Sequence, residues 1–190
     1  NYEGLASGTL TIAKGSDSGG GNEGKPVTAE VSLTGLSHTY DGSAKLATVT
    51  TKPAGLKVAV IYTDSDGSAV SSPTNAGSYT AKATIDDANN KGSATGTLTI
   101  NKAQAGITVS GTSQTHDGSE KVATVITDPS GLSVVVTYDG ASTKPTAVGD
   151  YAVVATVSAD NYEGSASGTL SISAAAGSSG STDSGVTTTT

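Results

Sequence analysis

The chain has 190 residues, and its ten Lys and Arg against seventeen Asp and Glu give a net charge of −7. This acidic balance excludes the clustered basic surface that nucleic-acid phosphates require. The absence of cysteine excludes disulfides, thiol catalysis and thiolate metal sites, and no apolar run approaches the ~20 residues that span a bilayer. Seven tyrosines are the only aromatic residues, so small aliphatic side chains must fill any core around them.

The first predicted element is a strand within residues 1–12, NYEGLASGTLTI, and nearly the same string, NYEGSASGTLSI, returns at 161–172. We therefore interpret 1–12 as the last strand of a preceding repeat, and we call it the remnant strand. Its large apolar residues are Leu5, Leu10 and Ile12, and alternation places Leu10 and Ile12 on one face. Two explanations stay open: the chain is a piece of a longer array, or this strand inserts into a neighbouring subunit as a donated strand and builds a head-to-tail fibre.

The rest of the chain divides into a linker, two repeats and a tail. Residues 13–25 are rich in Gly and Ser and predict a flexible linker. Two complete repeats lie over 26–102 and 103–174, which we call unit 1 and unit 2. The tail, 175–190, is rich in Ser, Thr and Gly and has no apolar pattern, which predicts a linker or a disordered stalk. O-linked glycans on its Ser and Thr residues and disorder without sugar fit this composition equally well.

The two repeats align with one change of shift. Residues 40–43 (YDGS) align with 116–119 (HDGS) at a shift of 116 − 40 = 76 residues. Residues 73–79 (PTNAGSY) align with 145–151 (PTAVGDY) at a shift of 145 − 73 = 72 residues. Unit 1 therefore carries four extra residues after Tyr62, and we expect them in a loop.

Apolar and polar residues alternate within each unit, as at 56–62 (LKVAVIY) and 132–138 (LSVVVTY). A period of two predicts half-buried strands, and turn signals such as Asp-Gly and Pro-x-Gly separate them. The sequence predicts an all-β fold of tandem antiparallel immunoglobulin-like β-sandwich repeats. A Gly-x-Tyr at a strand entrance is similar to the tyrosine corner of such sandwiches. The predicted structural anchors of the cores are four tyrosines: Tyr62, Tyr79, Tyr138 and Tyr151.

The order of short motifs resembles a known family. Tyr-Asp-Gly-Ser, Pro-Ala-Gly-Leu, Pro-Thr-Asn-Ala-Gly-Ser-Tyr and Gly-Ser-Ala-Thr-Gly-Thr-Leu-Thr-Ile succeed one another as in the MBG and YDG repeats of bacterial extracellular proteins. The resemblance covers both units and the remnant strand. It implies tandem all-β modules in large secreted or cell-surface proteins, usually adhesins or stalks, without a family-wide catalytic site. Unit 2 departs from the pattern at His116, where unit 1 has Tyr40.

One short acidic stretch is a candidate metal site. Asp64 and Asp66 lie in Asp-Ser-Asp-Gly, which resembles half of a calcium loop. The twelfth position counted from Asp64 is Asn75, however, where an EF-hand loop has a bidentate Glu. Unit 2 lacks this stretch, so the alternative interpretation, a polar hairpin turn, is favoured over weak calcium binding.

No other motif predicts an enzyme. His116 stands beside Asp117, which suggests an acid–base pair, but adjacent strand residues point to opposite faces. Catalysis needs a nucleophile, a base and an orienting group together. The sequence therefore predicts no catalytic site and no cofactor.

The predicted function is a non-enzymatic structural module of a bacterial cell-surface adhesin, stalk or extracellular fibre. Its expected partners are other repeats of the same chain or other subunits. The alternative is a carbohydrate- or protein-binding module that uses loops at one end of the sandwich, including 63–72. The tyrosines separate the two: a structural role predicts that all four anchors are buried, whereas a binding role predicts an exposed aromatic cluster.

Overall fold

A computed structural model describes residues 25–177. The remnant strand with Leu5, Leu10 and Ile12 lies outside the described residues, as do nearly all of the predicted linker and the tail beyond residue 177. Within 25–177 the chain forms strands and no helix, and it therefore contains no helix long and apolar enough to cross a membrane there. The predicted all-β class is confirmed.

The strands correspond to the alternating segments of both units. The strands of unit 1 are β1 (Val27–Thr28), β2 (Glu30–Thr34), β3 (Ser37–Thr39), β4 (Thr48–Lys52), β5 (Val58–Thr63), β6 (Ala69–Val70), β7 (Gly77–Ile85), β8 (Asn90–Lys91) and β9 (Ser93–Asn101). The strands of unit 2 are β10 (Ala103–Gln104), β11 (Gly106–Ser110), β12 (Ser113–Thr115), β13 (Thr124–Asp128), β14 (Val134–Tyr138), β15 (Gly149–Val157), β16 (Tyr162–Glu163) and β17 (Ser165–Ser173).

Each unit is a small sandwich of two layers. The main sheet has the order β3-β9-β7-β5-β6 in unit 1 and β12-β17-β15-β14 in unit 2. The second layer is an antiparallel pair, β2 with β4 and β11 with β13. Leu33 and Leu36 from the second-layer side pack against the core of unit 1, and Val109 does so in unit 2. The tandem immunoglobulin-like sandwich is thereby confirmed.

The pairing is not antiparallel throughout. β3 runs parallel to β9, and β12 runs parallel to β17. The cause is a change of layer between consecutive strands: β2 lies in the second layer, Gly35 takes a φ of +64°, and β3 continues in the main sheet. Gly111 has the same φ in unit 2. Glycine adopts this left-handed conformation without the penalty of a Cβ, so it suits the crossing point.

The cores are formed by the central strands. Leu98 on β9 and Leu170 on β17 are 0% exposed, because these strands have neighbours on both sides in their sheets. Ala81 and Val153 contribute the equivalent buried positions of β7 and β15. The alternation seen in the sequence places these residues on the face that the second layer covers.

The two units differ at one edge of the main sheet, where unit 1 carries the four-residue insertion. In unit 1 the chain turns at Gly67 and returns as β6, which pairs with Tyr62 and Thr63 of β5. In unit 2 a tighter turn closes with a bridge between Tyr138 and Ala141. The insertion is thus a turn and a short strand that extends the sheet of unit 1.

Candidate functional site

Two of the predicted anchors connect the layers of their own units. Tyr62 and Tyr138 are 5% and 6% exposed. The Tyr62 hydroxyl accepts a hydrogen bond from the Ala47 backbone N–H at 2.8 Å, and the Tyr138 hydroxyl accepts one from Ala123 at 3.0 Å. Ala47 immediately precedes β4, so each ring spans from the main sheet to the start of a second-layer strand. These tyrosines serve the fold, and their hydroxyls are engaged within it.

The other two anchors are half-buried, so the expectation that all four are buried holds for Tyr62 and Tyr138 and not for this pair. Tyr79 and Tyr151 lie at the entrance of β7 and β15. Their hydroxyls turn back to the preceding loop, where they donate hydrogen bonds to the carbonyl oxygens of Asn75 at 2.9 Å and Ala147 at 3.0 Å. A ring that reaches its own loop cannot also lie wholly under the second layer. This bond to backbone four residues upstream is the geometry of a tyrosine corner.

The candidate calcium residues form a turn. The Asp64 carboxylate Oδ1 accepts hydrogen bonds from the backbone N–H groups of Asp66 at 3.0 Å and Ser68 at 2.8 Å. Side-chain capping of this kind is what Asp does in tight turns. Within residues 25–177 no group of three or more His, Asp or Glu is placed to hold a metal ion. The geometry of this loop is that of the hairpin turn that joins β5 to β6.

The Asp-Gly-Ser loops contain an ion pair that the sequence reasoning missed. Lys121, only 8% exposed, directs its amine to the carboxylate of Asp117. The hydrogen bond from Lys121, together with those from Ser119, lowers the pKa of Asp117. Asp41 of unit 1 likewise has a pKa below its usual value, chiefly because Lys45 donates to it. In both units the Asp and the Lys are four residues apart in the sequence, and this shared spacing could have predicted the ion pair.

These loops are also tied to the rest of their units. The backbone N–H of Lys45 donates to the Pro73 carbonyl at 2.8 Å, and that of Lys121 donates to the Pro145 carbonyl at 2.9 Å. His116 donates its backbone N–H to the Ser173 carbonyl. The carboxylate beside His116 is therefore held by a lysine and a serine, and the arrangement is structural.

The two units meet end to end, and this joint is the candidate functional site. The Asn161 side chain of unit 2 lies against the loop before β7 of unit 1. Its Oδ1 accepts a hydrogen bond from the Ala76 backbone N–H at 2.8 Å, and its Nδ2 donates to the Asn75 Oδ1 at 3.1 Å. Beside these bonds the rings of Tyr40 and Tyr162 meet edge to face, with centroids 5.4 Å apart and planes at 78°. That is a favoured aromatic geometry.

The chain segment that crosses the joint adds further contacts. Lys102 donates its amine to the Ala159 carbonyl at 2.7 Å. On the unit 2 side of the joint, β10 directly follows Lys102 and pairs in parallel with β16. Gln104 donates its side-chain amide to Glu163 at 2.7 Å, and both of these contacts lie within unit 2. A shallow cleft remains beside the joint, where Gly77 and Asn101 of unit 1 face Glu163.

The described aromatic residues do not form a platform for a ligand. Six of the seven tyrosines lie within residues 25–177, and each of them is buried or half-buried. Tyr40 and Tyr162 are covered by one another at the joint. The exposed aromatic cluster that a binding role predicts is therefore not found in the part of the chain that the structure describes.

Comparison with known proteins identifies the repeat. The chain is similar to a Dscam chain from a study of Dscam isoform specificity, with 15% identity, coverage of 78% of this chain and 46% of that chain, and a TM-score of 0.38. It is also similar to the N-terminal four Ig domains of Dscam1 isoform 6.9, with 14% identity, coverage of 83% and 45%, and a TM-score of 0.36. The chain thus spans less than half the length of these two solved chains.

Likenesses this distant carry no argument about function, and no curated protein matches the sequence. A protein family, in contrast, matches the sequence over most of its length. The MBG domain family matches twice in tandem, over residues 29–104 and 105–176. These two matches cover both units, and the chain therefore belongs to the MBG-domain family.

Proposed function

We propose that this chain is a non-enzymatic spacer of a bacterial cell-surface or secreted protein, in which tandem MBG units hold the segments on either side of them at a fixed distance. The observation that carries the proposal is the joint. Asn161 and Tyr162 of unit 2 engage Asn75, Ala76 and Tyr40 of unit 1. A tandem pair with contacts of this kind keeps its orientation, whereas a pair joined by a linker alone does not.

The tyrosines support a spacer over a binding module. In the described residues their rings are used in the cores, the corners and the joint, and each ring is buried or half-buried, so they do not form an open aromatic platform for a sugar. The lowered pKa of Asp117 is explained by the hydrogen bonds that its carboxylate accepts from Lys121 and Ser119. These uses favour an architectural role for the charged and aromatic residues of both units.

Small-angle X-ray scattering on the whole chain tests the spacer. We expect the distance distribution of an elongated particle. The separation between the mass centres of the two units should have a single value that does not change with salt concentration. A broad range of separations would overturn the proposal. The cellular part is tested by labelling intact cells of the source organism with antibodies raised against the two units; labelling that requires permeabilised cells would contradict an extracellular location.

We further propose that copies of the chain assemble head to tail through the remnant strand. Residues 5–12 (LASGTLTI) nearly repeat 165–172 (SASGTLSI), and the latter belong to β17, which is flanked by β12 and β15. A donated strand must therefore replace β17 or pair at an open edge, such as that of β14.

Light scattering tests this assembly. Leu10→Asp combined with Ile12→Asp in the full chain should abolish any concentration-dependent increase in mass, because the apolar stripe of the donor is lost. The matched control is Thr9→Asp combined with Thr11→Asp, which changes the other face of the same strand. A wild-type chain that stays monomeric at all concentrations would overturn the assembly and leave the spacer intact.

A further inference from the structure

The end of unit 2 that meets unit 1, which we call its leading end, carries a pair of side chains aimed out of its own unit. These are Asn161 and Tyr162, in the loop before β16 and at its start. We propose that this pair is a recognition surface for the opposite, trailing end of a preceding MBG unit. The partner it fits presents a tyrosine ring beside an asparagine carboxamide and a backbone N–H. The inference deepens the proposed spacer function and rests on it.

The hydrogen-bonding half of the surface requires a carboxamide. Asn161 accepts from the Ala76 N–H through Oδ1 and donates to the Asn75 Oδ1 through Nδ2, at 2.8 and 3.1 Å. An aspartate at this position could accept from Ala76 but would place a charged oxygen against the oxygen of Asn75. A shorter residue would reach neither group. Both ends of the side chain are thus matched to the partner.

The aromatic half fixes the angle between the units. Tyr162 meets Tyr40 edge to face at 5.4 Å. Tyr40 is held in turn, because its backbone N–H donates to the carbonyl of Asn101, the last residue of β9, at 2.8 Å. The Asn161 carboxamide and the Tyr162 ring contact different groups of unit 1, and together they restrict rotation between the ends.

The trailing end of unit 1 is organised by its own fold. The Tyr79 hydroxyl binds the backbone carbonyl of Asn75, and this corner fixes the loop that offers the Asn75 side chain and the Ala76 N–H. The motif Pro-Thr-Asn-Ala-Gly-Ser-Tyr therefore has two uses. Its tyrosine closes the corner, and its Asn-Ala pair receives the next unit.

The repeats show that the match is selective. Counting back 72 residues, the positions of Asn161 and Tyr162 are Asn89 and Asn90 in unit 1, so the leading end of unit 1 keeps the carboxamide and lacks the ring. The loop after β14 retains its tyrosine corner through Tyr151 and Ala147, but Ala147 replaces the asparagine of unit 1.

The trailing end of unit 2 differs in its other contact positions as well. His116 replaces Tyr40, and Val148, which is 54% exposed, replaces Ala76. The full complement of partners within the described residues occurs where unit 2 joins unit 1. The side chains at these few positions accordingly encode which units join rigidly.

Residual dipolar couplings measured on the full chain test the inference. In the wild type we expect the couplings of both units to fit one alignment tensor. The variant is Asn161→Ala combined with Tyr162→Asn; asparagine is chosen because unit 1 folds with Asn90 at the same position. We expect the loss of the common tensor, while amide shifts away from the joint stay unchanged. The matched control, Asn90→Ala in unit 1, should retain it.

The outcomes separate the two proposals. If the wild type has one tensor and the variant also has one tensor, the recognition surface is overturned and the spacer stands. If the wild-type units already align independently, the rigid spacer and the recognition surface both fall. The converse test builds a rigid joint at the trailing end of unit 2, which lacks the partners found in unit 1. A third unit with Asn-Tyr at its leading end is fused after unit 2. It should share the alignment tensor of unit 2 only when the substitutions His116→Tyr, Ala147→Asn and Val148→Ala are introduced.

Discussion

The Tyr79 hydroxyl donates a hydrogen bond to the Asn75 carbonyl at 2.9 Å, and the side chain of the same Asn75 accepts a hydrogen bond from Asn161 of unit 2. One residue thus belongs both to the corner of unit 1 and to the contact between the units. Changes that destabilise the corner should therefore also weaken the joint. Tyr62, which connects the two layers of unit 1, should affect only the stability of unit 1.

Tyr62→Phe should lower the free energy of unfolding of unit 1 by about 1 kcal/mol, because the Ala47 N–H loses its acceptor while the ring stays packed. Hydrogen exchange resolved by residue measures this separately in each unit. Tyr138→Phe is the matched control and should lower the exchange protection of amides in unit 2 alone. Equal protection in wild type and Tyr62→Phe would show that water replaces the hydroxyl without cost.

Gly92→Ala should destabilise unit 1 by about 2 kcal/mol or more, as overpacking does. A Cβ at this position would clash with the Ala29 carbonyl oxygen, which belongs to the backbone and cannot rotate away. Gly106→Ala is the control, because its Cβ would meet Asp128 at an ordinary 3.4 Å. The measurement is thermal unfolding monitored through amide signals of each unit. A melting curve of Gly92→Ala that overlays the wild type would contradict the close approach of the chain there.

Acid should weaken unit 2 partly through Asp117. Its carboxyl has a folded-state pKa below the usual 3.8, mainly because Lys121 donates to it. The folded protein therefore binds this proton less readily than the unfolded chain, and the resulting stability is present above pH ~4 and is lost as the pH falls further. Asp117→Asn should lower the stability at neutral pH and flatten its dependence below pH ~4.

Urea unfolding of unit 2 at a series of pH values checks this dependence. Asp41→Asn is the matched control, since it should act in the same direction on unit 1 and leave unit 2 unchanged. An Asp117→Asn protein that loses stability towards low pH as steeply as the wild type would show that the ion pair does not contribute.

Asp64→Ala should destabilise the turn between β5 and β6 by roughly 1 kcal/mol, since two backbone N–H groups lose their acceptor. Asp66→Ala, which leaves both bonds in place, should have little effect. Calcium at millimolar concentration should not change the amide shifts of this loop in the wild type. Shifts that track the calcium concentration and disappear in both variants would instead support the metal site that the two carboxylates suggested.

Much of the fold could be predicted because it depends on local alternation. The period of two around Leu98 and Leu170 placed these residues on an inward face, and both are fully buried. The Gly-x-Tyr motif predicted a corner, and the hydroxyls of Tyr79 and Tyr151 bind the loop as expected. The degree of burial was misjudged, because a ring that closes a loop lies at the end of the sheet and keeps contact with solvent.

The joint could not be predicted, because its partners are distant in sequence. Asn161 and Ala76 are separated by 85 residues and meet only when both units are folded and placed end to end. The repeated string that contains Asn161 and Tyr162 was visible, but repetition alone does not tell whether a residue serves its own unit or the neighbouring one. The parallel pairing of β3 with β9 was equally hidden, because it depends on the change of layer at Gly35.

The parallel pairing has a mechanical consequence. In unit 1 the entering strand β3 lies beside the departing strand β9 and runs in the same direction, with Ser37, His38 and Thr39 opposite Thr99, Ile100 and Asn101. A force that pulls the two ends of the unit apart therefore slides these strands along one another and loads their hydrogen bonds in shear, all at once. Antiparallel neighbours pulled from one end would open bond by bond. Each unit is thus built to resist stretching along the direction in which the array extends.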